Sequence, residues 1–498
     1  MKIAKLSLAC AVALGIGSNF AQAEILEEAI KGVTVDGMLR YRFQSDNYQD
    51  MGGEGGRDNT TTTNQYRALA NISTAPIKNV SAGLGILYIN EGAQTGTGTL
   101  GGGLGAGEDG DFGVNTYTLT YAPHNVTNTT VIIGKQILGT PVTDPADYDR
   151  AVGALVLNQD IKGLTLAGGA FGSWSLSNMA GYGGSILGTG FDSVNKGLFA
   201  LAAIYGIPNL ITAQVWWFNA QDISDTTLYA NIAYDQNFGG SFGARVGVTY
   251  AMSKLNDGDA TALSQVNVSG LPINNALGVE TVNGSALKGL FTGQETDNDL
   301  LKINAGVTVG PAVLDVNYMM NTKPGYSVMF DDMGAIIDPV TMGQIWWQDT
   351  STRTSLGIGR RIISGTGGAI GAGTGLAMPV ISGAEDDLSV ITASIGAKNI
   401  LNTGLGIHVT YVTGSSEYKG GTAGGLGSYN GLVSSKREFQ EITPLLNYQF
   451  SEKLSFQTFY AMLSTDITQE GTVGSTTYTG QKITEKRNRY RFQALYKF

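Results

Sequence analysis

Arg487, Arg489 and Arg491 recur at every second position, with Asn488 and Tyr490 between them and Phe492 beyond. A two-residue period sends alternate side chains to opposite faces of a strand, so the three guanidinium groups share one face and the rings the other. The same division appears near the start of the chain, where Arg40 and Arg42 alternate with Leu39, Tyr41 and Phe43. Arg67 falls in phase with Gln65 and Asn71. Fixed positive charges in a row would repel one another in a dry interior but are tolerable against water. Arg40, Arg42, Arg67, Arg487, Arg489 and Arg491 are therefore expected to form one basic wall along an aqueous passage. The plainer alternative sets some of them against loops or at a rim.

A basic wall invites an acidic partner. Residues 139–150 supply Asp144, Asp147 and Asp149, with Pro141 and Pro145 to stiffen the segment. Aspartates facing arginines across a narrow point would create a transverse field that orients dipolar solutes and disfavours apolar ones. The same carboxylates are the kind of oxygen ligand that Ca²⁺ takes, about 6–8 at a time. An ordinary exposed acidic loop is the bland reading. Catalysis has little to work with, since the chain holds two histidines, His124 and His408, and one cysteine, Cys10. A zinc enzyme needs more histidines or a thiolate. The G-x-G-x-x-G patterns at 96–101 and 105–110 lack a strand-to-helix context, so they read as glycine-rich loop, and no enzyme is expected.

Strands must carry these residues, and the two ends of the chain say which kind. Tyr490, Phe492, Ala494, Tyr496 and Phe498 alternate with Arg491, Gln493, Leu495 and Lys497 up to the last residue. One aromatic face and one mostly polar face suit the wall of a transmembrane β-barrel. At the other end, Lys2 and Lys5 precede an apolar stretch, and Ala21-Gln22-Ala23 precedes Glu24. That is the pattern of a secretory signal over 1–23, which would leave 24–498 as one barrel domain without a thiol. Without Lys2 and Lys5 the 31 basic residues become 29, against 41 acidic ones. An acidic balance argues against a nucleic-acid partner. Gly is 71 of 498 residues and charged residues make up only 14%. Strands that are half apolar and half wet produce such an average.

From Val33 onward the chain repeats a strand, a long Gly/Asp/Ser/Thr connection, a strand and a tight turn. Tight turns are expected near 75–79, 122–128, 160–163, 207–209, 236–240, 310–311, 399–402 and 451–453. Longer connections are expected near 48–63, 92–112, 139–150, 176–194, 221–224, 254–296, 322–386, 416–436 and 467–485. The rhythm predicts an all-β, transmembrane antiparallel β-barrel of about 18 strands in the bacterial outer membrane, with long extracellular loops and short periplasmic turns. A hairpin within 352–364 would raise the count to about 20 if it joined the wall. Closing the barrel pairs the first strand with the last, which brings the arginines of both together.

Residues 27–42, Glu27-Glu28-Ala29-Ile30-Lys31-Gly32 followed by Val33-Thr34-Val35-Asp36-Gly37-Met38-Leu39-Arg40-Tyr41-Arg42, resemble the mature N-terminus of the Campylobacter-type major outer membrane porin family. The resemblance implies a homotrimeric porin of eighteen strands with Ca²⁺ near its constriction, although that family's calcium ligands do not map residue by residue onto this chain. Porins often fold the loop after their fifth strand into the barrel, which is where Asp144, Asp147 and Asp149 fall. The expected function is passive diffusion of small hydrophilic solutes and ions, with outer-membrane lipid as the surroundings and no cofactor required. Two alternatives are an anion-selective channel with an arginine ladder and a surface adhesin or structural barrel with a plugged lumen.

Overall fold

The computed structural model describes residues 32–51, 57–89, 111–143, 149–175, 196–221, 224–239, 241–255, 297–323, 343–346, 354–355, 358–359, 385–419, 431–473 and 476–498. The wall is built from β1 (Thr34–Met51), β2 (Arg57–Ser73), β3 (Val80–Ile89), β4 (Asp111–Tyr121), β5 (Thr129–Ile137), β6 (Arg150–Asn158), β7 (Leu164–Ser175), β8 (Leu198–Ile207) and β9 (Ile211–Ala220). It continues with β10 (Ser224–Asn237), β11 (Phe242–Leu255), β12 (Asp297–Val309), β13 (Ala312–Met320), β14 (Ser389–Ile400), β15 (Leu405–Lys419), β16 (Gly431–Gln449), β17 (Leu454–Val473) and β18 (Thr476–Lys497). Each strand pairs antiparallel with the next, and β18 returns to β1, so the sheet closes with no free edge. Closure satisfies every strand's backbone within the wall, as a hydrocarbon environment demands.

The eight expected turns are the eight that join strands at one end of the barrel. Asn and Gly supply the left-handed positions these turns need, as at Asn79, Asn209, Gly163 and Gly310. In the turn after β6, Asp160 accepts hydrogen bonds from Thr127 Oγ1, the Asn128 N–H and Asn158, which hold its carboxyl below the ordinary aspartate range. Of the segment 352–364, the described residues do not join the wall: Thr354–Ser355 pairs with Ile358–Gly359 in a sheet of its own, and the closed ring keeps eighteen strands. Glu385–Asp386 pairs with the far end of β15, ahead of β14.

The boundaries of three expected connections need correction. Residues 48–51 and 57–63 belong to β1 and β2, 467–473 and 476–485 to β17 and β18, and 416–419 and 431–436 to β15 and β16. β18 runs for 22 residues, β17 for 20, β16 for 19 and β1 for 18, whereas β5, β6 and β13 have 9 each. A membrane needs only about 9–11 residues of tilted strand. The surplus extends past the apolar exterior, where the outer face carries Lys436, Glu438, Asp466 and Lys482 while inward residues such as Thr63, Arg437 and Glu485 stay buried, so no apolar alternation marks the strand.

The two faces of the wall differ as a lipid solvent requires. Along β13, Leu314, Val316 and Tyr318 are exposed on the outside while Val313, Asp315, Asn317 and Met319 are buried inside. Val248, Ile391, Tyr411, Ile442 and Tyr490 continue the apolar exterior on other strands. Higher on β16 to β18 the exterior turns polar, with ion pairs Lys436–Glu438 at 3.0 Å and Lys482–Asp466 at 2.8 Å. The chain's last residue completes the closure: Phe498 N–H donates to Gly37 O at 3.1 Å and Gly37 N–H to Phe498 O at 3.2 Å. A Cβ at Gly37 would lie 2.7 Å from the Phe498 ring and collide with the Leu69 carbonyl, so the approach requires glycine.

Candidate lumenal site

The closing register places Gln44 opposite Arg491, Asp46 opposite Arg489, and Tyr48 opposite Arg487. All six lie on the inward face, because the two-residue period has sent Tyr490 and Leu39 outward, with the Phe43 ring beside that of Tyr490. Asp46 is 5% exposed and Arg489 3%. Asp46 Oδ1 accepts from Arg489 Nε at 2.7 Å and from Arg487 Nε at 3.0 Å, so one carboxylate serves two guanidinium groups. The Arg487 guanidinium also lies over the Tyr48 ring, 4.8 Å from its centre. Arg491 donates to Gln44 Oε1 at 2.9 Å and lies over the Phe459 ring at 5.2 Å.

Lower on the same wall, Arg42 donates to Gln493 Oε1 at 3.1 and 3.0 Å and to Gln65 Oε1 at 3.4 Å. Arg40 on β1 stands directly opposite Arg67 on β2 in the register, with Arg67 buried and Arg40 half-buried. The six arginines named from the sequence thus share one inward surface of three adjacent strands. Arg42 and Arg491 are held by glutamines, and Arg487 and Arg489 by Asp46, each through hydrogen bonds from a neighbouring strand that fix the planar fork.

The third long connection gives a partial picture. Leu138, Val142 and Thr143 are buried, and Leu138 and Val142 belong to the same interior apolar cluster as Phe171, Trp174 and Trp346. Asp149 is fully buried, and its carbonyl accepts from the Leu138 N–H at 3.0 Å and from Arg150 Nη1 at 2.9 Å. Asp144 and Asp147 lie outside the described residues. Among the described residues, no group of three His, Cys, Asp or Glu side chains could hold a metal ion. Asp46 is a carboxylate set against both Arg487 and Arg489.

The remaining candidates occupy separate elements. His124 sits in the turn after β4, and His408 is a buried wall residue of β15 opposite Gly396. Trp216 faces inward and stacks on Phe218 with 6.0 Å between ring centres, while Trp217 Nε1 donates to Thr226 Oγ1 at 2.6 Å. Trp347 lies outside the described residues, as do the glycine patterns of 96–110.

A family model described as Campylobacter major outer membrane protein matches residues 1–498, the whole chain. The chain belongs to that family. It resides in the bacterial outer membrane as a porin barrel. Among solved structures, OpdL of Pseudomonas aeruginosa is similar at 13% identity with a TM-score of 0.55, over 94% of this chain and 99% of that one. OpdQ of the same species reaches 0.55 at 13% identity, over 95% and 99%. OccAB4 of Acinetobacter baumannii reaches 0.54 at 12%, over 93% and 98%. At such identities these likenesses speak for the fold alone. No curated protein matches the sequence.

Within this member of the family, sequence reading missed Asp46, Glu441 and Asp315 as charged wall residues. Asp46 was available from parity, since it continues Arg40, Arg42 and Gln44 at the two-residue period. Asp315 forms an ion pair with Arg245, Nε to Oδ1 at 2.8 Å. That pair crosses β12 at Gly306, where any side chain would stand in its way. Nothing local in the sequence links positions 245 and 315.

Proposed function

We infer that the protein passes small hydrophilic solutes and ions passively across the outer membrane. The observation that carries this reading is a closed wall, apolar outside, whose inner face concentrates six arginines on β18, β1 and β2. Arg40 and Arg42 stay part-exposed on that face, while the buried Arg67, Arg487, Arg489 and Arg491 would act on a passing ion through their field, and none of these groups changes covalently. Arg40, Arg42, Arg67, Arg487, Arg489 and Arg491 are the pore-lining basic groups in this reading, and Asp144, Asp147 and Asp149 the acidic groups of a narrowing loop. Homotrimer assembly, removal of 1–23 on export and a Ca²⁺ on those three aspartates belong to the same reading, supported by sequence motif and family resemblance.

A second reading is an anion-selective channel. The three arginines spaced at every second residue of β18 favour it, because they line a single column along the passage. One experiment separates the two. Reconstituted protein in a salt gradient gives a reversal potential, and millimolar inorganic phosphate either blocks the current or does not. Weak selectivity without block is expected of the general porin; block would move the conclusion to the anion channel. Absence of conductance would sink both. Arg40→Ser and Arg489→Ser each remove one lumenal charge and are expected to shift the reversal potential toward cations; an unchanged potential would take those residues out of the conduction path.

A further inference from the structure

Glu441 projects from β16 into the barrel and is 0% exposed. Its carboxylate accepts from three successive backbone N–H groups: Gln344 to Oε1 at 2.5 Å, Ile345 to both oxygens at 3.1 Å, and Trp346 to Oε2 at 2.6 Å. Thr443 Oγ1 adds another donor at 2.6 Å. An extended chain points successive N–H groups in opposite directions, whereas a tight turn converges them on one anion. Gly343, with φ of +82°, begins that turn. A Cβ at Gly343 would lie 2.9 Å from Val412 Cγ2 and 3.0 Å from Glu441 Oε1, so both the backbone shape and the close approach call for glycine.

The donors come from an unexpected place. Residues 343–346 belong to the long connection between β13 and β14, yet they bind the inner wall at β16. Ile345 is fully buried, and Trp346 stacks on Phe439 with 5.1 Å between ring centres and a 16° tilt. The Gln344 carbonyl accepts from Arg489 Nη1 at 3.2 Å. The segment therefore joins an acid on β16 to the basic wall on β18. The same connection is fastened where it leaves and returns: Asp299 accepts the N–H groups of Thr322 at 2.7 Å and Lys323 at 2.9 Å, and Asn321 Oδ1 accepts that of Leu388 at 2.8 Å.

β16 is paired with β15 and β17 along its length, so the wall closes without any help from Glu441. A dry carboxylate whose donors are peptide groups of an extracellular connection serves to set where that connection sits. We propose that Glu441 is a positioning residue that pins residues 343–346 inside the barrel beside Arg489 and so sets the width of the passage. The proposal rests on the porin reading. The pin reads backbone donors rather than side chains, so Glu441, and not Gln344 or Ile345, is the specifying residue.

The test uses the full chain, wild type and Glu441→Gln, reconstituted in planar bilayers. Glutamine keeps the size of glutamate but loses the charge and turns an amide donor toward peptide N–H groups. Release of the segment is expected to raise single-channel conductance about twofold, since current scales with the open cross-section. In parallel, Ile345→Cys in a Cys10→Ser background reports the segment's position to a membrane-impermeant maleimide. It is expected to be protected with Glu441 present and labelled once Glu441→Gln is added. A shift in reversal potential with conductance and labelling unchanged would make Glu441 only a lumenal charge and overturn the proposal. Should Glu441→Gln fail to fold, rapid labelling of Ile345→Cys in the otherwise unaltered barrel would overturn it equally. A wild-type protein that does not conduct removes the porin reading, while the labelling pair still decides whether the segment is pinned.

Discussion

Asp46 places one negative charge between Arg487 and Arg489, with all three side chains nearly shut off from solvent. Removing one partner from such a cluster leaves the others charged and poorly solvated, which costs far more than the pair contributes. Asp46→Asn is expected to lower stability by about 3 kcal/mol, read by urea unfolding in detergent, and to shift the reversal potential toward anions. A stability loss with an unmoved reversal potential would mean that ions in transit do not sense this cluster. Arg40, Arg42, Arg67 and Arg491 were legible in the sequence because each sits between aromatic or aliphatic neighbours of opposite parity, and Arg487 and Arg489 continue the same two-residue period. Asp46 has the same parity, but that it meets Arg489 depends on the register between strands more than 400 residues apart along the chain, and Arg489 Nε reaches it at 2.7 Å.

The seam between β1 and β18 is the element on which the basic wall depends, because it aligns Arg42 with Gln493 and Asp46 with Arg489. Phe498 ends that seam against Gly37, and its ring stacks with Tyr496 at 6.3 Å between centres. Gly37→Val should push the Phe498 ring away and slow closure of the barrel. The expected result is a reduced fraction of heat-modifiable folded protein on an unboiled gel, with residual folded material conducting normally. Full folding of Gly37→Val would show that the seam tolerates a displaced terminal ring. The strands flanking this seam were read too short from the sequence. Residues such as Thr60 to Thr63 and Lys482 to Lys486 carry the ladder past the apolar exterior, where hydrogen bonding to a neighbouring strand suffices and the outer face turns polar.

The molecule as a whole is a tube of unequal height: a band of apolar exterior encircles it, and β15 to β18 with β1 and β2 rise past that band. The band predicts where a charge is costly. Val248→Arg, midway along β11 on the outer face, is expected to destabilise by about 2–4 kcal/mol in lipid, whereas Ser464→Arg above the band on β17 is expected to be nearly neutral. Equal effects, measured by unfolding in lipid vesicles, would displace the membrane from this position. Two-residue alternation, turn residues and composition sufficed for the compartment, the strand count and the inward direction of six arginines, since the face a strand residue occupies depends only on its neighbours in the chain. Closure and the long connections settled the rest. Which carboxylate meets which arginine, and that residues 343–346 return to Glu441, follow from shear and from a segment crossing to a distant strand, and no local stretch of residues encodes either.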